Sequence, residues 1–238
     1  LLVLASCIGR RFELSFLARA SQQSEQTTLK NLEPAFQEGL VSAYTIDEHQ
    51  PETSNLDPSS TFQFTHSRVM DAAYSILAES DKKATHLMLG RILQQTTQET
   101  EIRQNPYEII NQLNEGIPLI TEESERHELA RLNLIAGKKS KSAAAFETAW
   151  RYFAKGYGLL TEDAWVNDYE LAKDLLVKQT ECEYFIGNTE KAEPVFDILL
   201  DNIKTVQEKV EVINIKLNLY LKNNQYKKAV KIGLDSMR

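Results

Sequence analysis

From Ser67 to the end of the chain, apolar residues recur every three or four positions, and no strand-like alternation appears after residue 65. That period places apolar side chains along one face of a helix. Successive helices of this kind can bury those faces only on one another, so the stretch must fold as helices layered on helices. Two segments share a small residue followed by a bulky one, Ala149 with Phe153 and Ala192 with Phe196. A third, Ala229 with Gly233, keeps the small residue but lacks the bulky one; the small residues are set 43 and then 37 residues apart. A break precedes each, at Gly137-Lys138-Lys139, Gly187-Asn188 and Asn223-Asn224, and each break is expected to be the turn of a helix pair. Asn105-Pro106-Tyr107-Glu108 reads as a helix start, with an Asn cap, an early proline and a glutamate reaching back. Thr121-Glu122-Glu123 sets two carboxylates on the positive end of another helix. Pro194, about a turn into its helix, is expected to delay or kink it.

A turn, a small residue and an aromatic at such a period follow tetratricopeptide logic, in which alanines let two helices approach closely. The expectation is a mainly α protein whose residues 67–238 form a tetratricopeptide-like α-solenoid. Residues 1–66 read differently. Leu2, Leu4, Ala5 and Ile8 give one helical face closed by Gly9; Leu14, Phe16 and Leu17 begin a second helix; Leu29, Leu32, Phe36 and Leu40 mark a third, ending near Gly39. Val41 to Ile46 and Thr61 to Thr65 alternate as strands on either side of a polar stretch, 47–60, which carries two prolines. Three helices and a two-stranded hairpin in that order make a winged-helix-like domain, with 47–60 as a flexible wing and its N-terminal part expected to lie upstream of Leu1.

Charge limits the partners. The chain of 238 residues carries a net −7, which disfavours nucleic acid and anionic membranes, since both reward a positive surface. A winged helix would read DNA with its third helix, yet that helix offers Glu33, Gln37 and Glu38 against the single cation Lys30. The wing adds Asp47, Glu48, Glu52 and Asp57 and no Lys or Arg, so it would repel phosphates. The apolar start Leu1 to Gly9 lacks a basic flank and a cleavage site and is too short to span a bilayer. Cys7 and Cys182 both sit in apolar-periodic segments and are expected as buried free thiols, which suits the cytoplasm.

Candidate chemistry is sparse. Gly137-Lys138-Lys139-Ser140 matches the end of a phosphate-binding loop, but Leu132 stands where its first glycine must be and no strand precedes it. The four histidines and two cysteines show no metal-ligand spacing. His49 lies in the wing, His86 on an apolar-rich helix where it is packed or at the surface, and His127 on a charged, solvated face from Glu122 to Glu128. Carboxylates are spread along helix faces rather than paired for acid–base work. No catalytic residue and no metal site are expected here.

His66 stands apart. It ends the alternating run Phe62 to Thr65, and a helix with Val69, Met70, Ala73, Ile76 and Leu77 on one face opens directly after it. On the bare residues it is a polar cap for that helix. Phe64, His66, Arg68, Val69, Ala72, Ala73 and Tyr74, however, match a pattern close to F-x-H-D-R-V-x-x-A-A-Y, with Ser67 in place of the Asp. The segment resembles the end of the winged-helix domain of STAND-type signalling ATPases, as found in the predicted-ATPase region of large bacterial multi-sensor serine/threonine and histidine kinases of cyanobacterial type. Cys7-Ile8-Gly9 with Phe12, Leu32 to Leu40, His86 to Leu93, Ile110 to Asn114, Glu125-Arg126 and Leu129 to Lys139 extend the resemblance over most of the chain.

That resemblance implies a regulatory segment of a multidomain cytoplasmic signalling protein in a two-component or kinase system. His66 would be its nucleotide sensor, donating from the imidazole to a β-phosphate oxygen of ADP held in the resting state. ATP or ADP and Mg would bind the ATPase module of the parent, none would bind this segment, and the kinase domains would lie outside these residues. The implied partners are proteins or neighbouring domains of the same chain. For those, the solenoid is expected to offer a groove lined by first helices near 129–136, 171–185 and 210–221, contributing Asn133, Lys178 and Asn218. Two other classes stay open: a free-standing tetratricopeptide-type adaptor, and an all-helical enzyme whose site the sequence does not display.

Overall fold

The computed structural model describes residues 1–44, 60–187 and 189–235. Apart from Ser60, the expected wing at 47–60, with His49, lies outside the described residues. By contact the chain forms two compact units, Leu1–Ile102 with Asn111–Ile120, and Arg103–Ile110 with Thr121–Arg238. The expected division after residue 66 is therefore not the division into compact units, because two helices after His66 pack with the strands and helices before it.

The first unit opens with α1 (Leu2–Ile8), β1 (Arg11–Glu13), α2 (Leu14–Ala20), α3 (Glu25–Gln37), β2 (Val41–Tyr44) and β3 (Thr61–Phe64). Ser24 starts α3 by accepting from the Thr27 amide at 3.2 Å. Gly39 (φ 65) then turns the chain into β2 through a left-handed conformation that glycine enters without cost. The sheet is antiparallel in the order β1-β3-β2, with Phe12 opposite Phe62 and Val41 opposite Phe64. The period of two sends Phe62 and Phe64 to one face, where both are fully buried with Phe12, Leu14, Leu17 and Leu32. Ring centroids lie 6.1 Å apart for Phe12–Phe62 and 5.2 Å for Phe36–Phe62, distances at which aromatic pairs add to plain area burial. The expected two-stranded hairpin is thus a three-stranded sheet. β1 is too short to show alternation, and the Arg10-Arg11 pair that leads into it hid the strand.

The first unit continues through α4 (Ser67–Ser75), α5 (Glu79–Thr96), the start of α6 (Glu99–Gln104), the end of α7 (Tyr107–Glu115) and a 3-10 turn at Ile117–Leu119. Cys7, Phe16, Ala20 and Leu89 form a second small core, which takes in Tyr74, Leu77 and Ile92. Val69 and Met70 pack on the sheet core as expected. Ile76 does not join the predicted face and is exposed, because α4 stops at Ser75.

The second unit contains α8 (Glu123–Ser142), α9 (Phe146–Gly158), α10 (Ala164–Asn167), α11 (Tyr169–Ile186), α12 (Thr189–Asn202), α13 (Val206–Lys222) and α14 (Tyr226–Asp235). Its helix pairs turn at left-handed residues: Ala144 (φ 59), Gly187 (φ 81) and Asn224 (φ 57). The last two fall at the expected breaks. The first does not, since Gly137-Lys138-Lys139 lies inside α8. Gly137 is there for space: a Cβ on it would sit 2.3 Å from Cε1 of Phe153. Ala149, Ala192 and Ala229 are buried at matching positions, and Phe153 and Phe196 are fully buried. Pro194 lies inside α12, which continues through it. Among the described residues no helix is long and apolar enough to cross a membrane.

Candidate functional site

The β3–α4 junction is built by the backbone. Thr65 donates its hydroxyl to the Gly39 carbonyl at 2.7 Å and its amide to Leu40 at 3.1 Å, while Phe64 N–H donates to Arg10 O at 3.0 Å. These bonds fix the chain just ahead of His66. His66 is the N-cap of α4 (φ −134, ψ 142), and its carbonyl accepts from the Val69 amide at 3.1 Å. Its imidazole makes no capping bond and is exposed, so the plain capping role is filled by backbone alone.

The ring lines an open cleft of about 550 Å³ with Arg10, Thr65, Ser67, Arg68 and Val69. Two arginines, a histidine and the first residues of a nine-residue helix therefore border one space. Such a border attracts an anionic oxygen, since the helix start carries partial positive charge and arginine donates in a fork. Ser67 supplies a hydroxyl where the resembling pattern has a carboxylate, and none of the described residues that line the cleft is acidic.

The three groove residues do not share an open face. Asn133 is fully buried on α8 and donates its amide to the Leu129 carbonyl at 2.9 Å. The expectation of exposure is corrected by phase: Leu129, Asn133 and Gly137 are four apart and lie on the same buried side of α8. That spacing was visible, but the polarity of asparagine masked it. Lys178 on α11 is half-buried and held by Glu181 at 3.1 Å, a carboxylate that Lys141 of α8 also meets. Asn218 on α13 is exposed. Lys138 pairs with Asp174 at 2.8 Å, an α8–α11 tie rather than part of a phosphate cradle. His127 is only partly solvated, with its Nε2 2.7 Å from Asp168 and its side chain 25% exposed, while Glu122, Glu123 and Glu128 of the same stretch are exposed.

Sequence reasoning missed two polar clusters. In the first unit Tyr74 OH lies 3.0 Å from His86 Nε2, and His86 Nδ1 lies 2.6 Å from Gln112 Oε1. Gln112 Nε2 in turn donates to the Cys7 carbonyl at 2.9 Å. In the second unit Glu208 closes a capping box with Thr205 on α13 and also accepts from Tyr169 at 2.9 Å and Lys173 at 2.6 Å. Only the Thr205–Glu208 spacing was readable in advance; the others join residues far apart in sequence.

Lys173, then Thr205, stabilise the ionised Glu208 carboxyl, and with Tyr169 they outweigh its desolvation and hold its pKa at about 2. A depressed carboxylate contributes stability that is complete above the ordinary value of 4.5 and lost as pH falls toward 2. The unfolding midpoint of the second unit is therefore expected to drop across that window, and Glu208→Gln is expected to flatten the drop. Equal slopes in both proteins, read by tryptophan fluorescence from pH 6 to 2, would remove Glu208 from the account. Cys7 and Cys182 are buried free thiols; burial pushes both up, Cys182 to about 11.

No protein-family model matches the chain, and no solved structure matches it. Among curated proteins, the chain is similar to hybrid signal transduction histidine kinase G of Dictyostelium discoideum, with 24% identity over an alignment of 287 residues. The match takes in 99% of this chain but 8% of that protein. This is a relation to a signalling kinase, carried by one small part of it.

Proposed function

We propose that these residues are the regulatory winged-helix and tetratricopeptide-like part of a STAND-type ATPase module within a larger signalling kinase. In this reading residues 1–66 are the winged-helix part and 67–238 the helical repeat. The segment holds no catalytic centre of its own. It moves protein partners or neighbouring domains according to the nucleotide bound elsewhere in the parent. The observation that carries the reading is the exposed His66 at the strand-to-helix junction, beside Arg10 and Arg68 in one cleft. Further support comes from the order helix, strand, helix, helix, strand, strand of the first elements, the three helix pairs, and the likeness to a histidine kinase. ADP, with Mg, would be held by the ATPase module, and His66 would donate to its β-phosphate.

The test is His66→Ala in the full-length protein. Exposed substitutions change stability by within about 0.5 kcal/mol, so folding should survive. One hydrogen bond to a charged group is worth about 1.5–3 kcal/mol, which predicts ADP binding weakened by roughly tenfold or more and a raised kinase output. ADP affinity equal to that of the unsubstituted protein would sink the assignment.

A further inference from the structure

Arg10 lies outside the segment that marks His66, yet it lines the same cleft. The sheet carries it there: Phe64 N–H donates to the Arg10 carbonyl at 3.0 Å, and the next residue, Arg11, stands opposite Gln63 of β3. Arg11 is engaged, with its guanidinium 3.9 Å from the centre of the Tyr44 ring. Other arginines commit as well: Arg126 donates to the Leu159 carbonyl at 3.2 Å, and Arg151 meets Glu147 at 2.7 Å. Arg10 and Arg68 do not. Both side chains are exposed, and neither has a hydrogen-bond or ion-pair partner among the described residues. In a chain of net charge −7, they make a local excess of positive charge around one cleft.

A phosphate at His66 needs that charge. A terminal phosphoryl group carries about −1.5 to −2 at neutral pH and offers three strong acceptor oxygens. A neutral imidazole brings one N–H and no charge, so it answers one oxygen and leaves the rest of the group unmet. A guanidinium is permanently charged and donates in a planar fork that fits two phosphate oxygens at once. Among the described residues that line the cleft, Arg10 and Arg68 are the permanently charged ones.

We infer that Arg10 and Arg68 bind the terminal phosphate of a nucleoside diphosphate together with His66, so that the cleft recognises a dianion by charge as well as by one hydrogen bond. Arg68 comes with the helix that His66 opens; Arg10 completes the set through strand pairing. The inference rests on the nucleotide-sensing reading of His66 and adds two binding residues to it. A nucleoside monophosphate held by the same ATPase module would end one phosphate short of the cleft.

The test is ADP and AMP binding by the full-length protein. Arg10→Gln and Arg68→Gln are each expected to weaken ADP about tenfold, as loss of a charge-assisted hydrogen bond does, and to leave AMP within about twofold. The salt dependence of ADP affinity should become shallower in both variants, because a screened charge pair has been removed. Equal weakening of ADP and AMP would mark a merely structural role and overturn the proposal. Unchanged ADP affinity in either variant overturns it too. If His66→Ala weakens ADP while the arginine variants bind it normally, this inference alone fails. If the arginine variants weaken ADP and His66→Ala does not, the cleft holds the phosphate and the histidine assignment fails alone. A full-length protein that binds no ADP overturns both.

Discussion

Replacing Phe153 by alanine is expected to destabilise the second unit by about 3–5 kcal/mol, the usual cost of emptying a buried aromatic site. The ring is fully buried and fills the approach of α9 to α8. On the other side stands Gly137, where an added Cβ would meet three atoms of that ring between 2.3 and 2.8 Å. Gly137→Ala should therefore also destabilise, by about 1–3 kcal/mol through overpacking, although alanine is the better helix former. The two residues share one volume, so their effects should not add. Gly137→Ala combined with Phe153→Leu should be more stable than Gly137→Ala alone. Both tryptophans, Trp150 and Trp165, lie in the second unit, so urea titration followed by their fluorescence reads this unit directly. Strict additivity of the two changes would show that glycine and ring are not packed as a pair.

The same pair shows what the sequence could and could not convey. Helical period, the buried alanines and two of the three turns were legible, because each is a local property of a dozen residues. Gly137 was misread as a turn, since glycine serves both a left-handed turn and a close helix contact, and only the distant Phe153 decides between them. The third strand was lost for the opposite reason: three residues cannot show a period, and β1 exists because β3 offers it a ladder. His66 was found because its neighbours along the chain mark it. Asn133 was misplaced because polarity was weighed above phase, and Arg10 entered the cleft only through sheet pairing that brings its carbonyl to Phe64. Signals carried by neighbours in sequence were readable; those carried by partners about a dozen or more residues away, such as Phe153 for Gly137 or His86 for Tyr74, were not.

Gln112→Leu is expected to be among the most damaging near-isosteric changes in the first unit. Cys7 lies in the last turn of α1, where carbonyls have no partner within the helix. Gln112 supplies that partner by donating Nε2–H at 2.9 Å, and this fixes its Oε1 toward His86. Oε1 can only accept, so His86 Nδ1 carries the hydrogen, and Nε2 is left to accept from the Tyr74 hydroxyl. Leucine fills the same space but strands a buried carbonyl and a buried ring N–H, each at a cost of about 1–3 kcal/mol. Adding His86→Leu removes one of the two stranded groups, so the double variant should recover part of the loss, with Tyr74 free to turn to water. Circular dichroism under denaturant reports the stability, and hydrogen exchange in α5 reports where the loss falls. A Gln112→Leu protein as stable as the unsubstituted one would show that water reaches Cys7 and His86, and that the chain of bonds from α1 to Tyr74 does not hold these helices together.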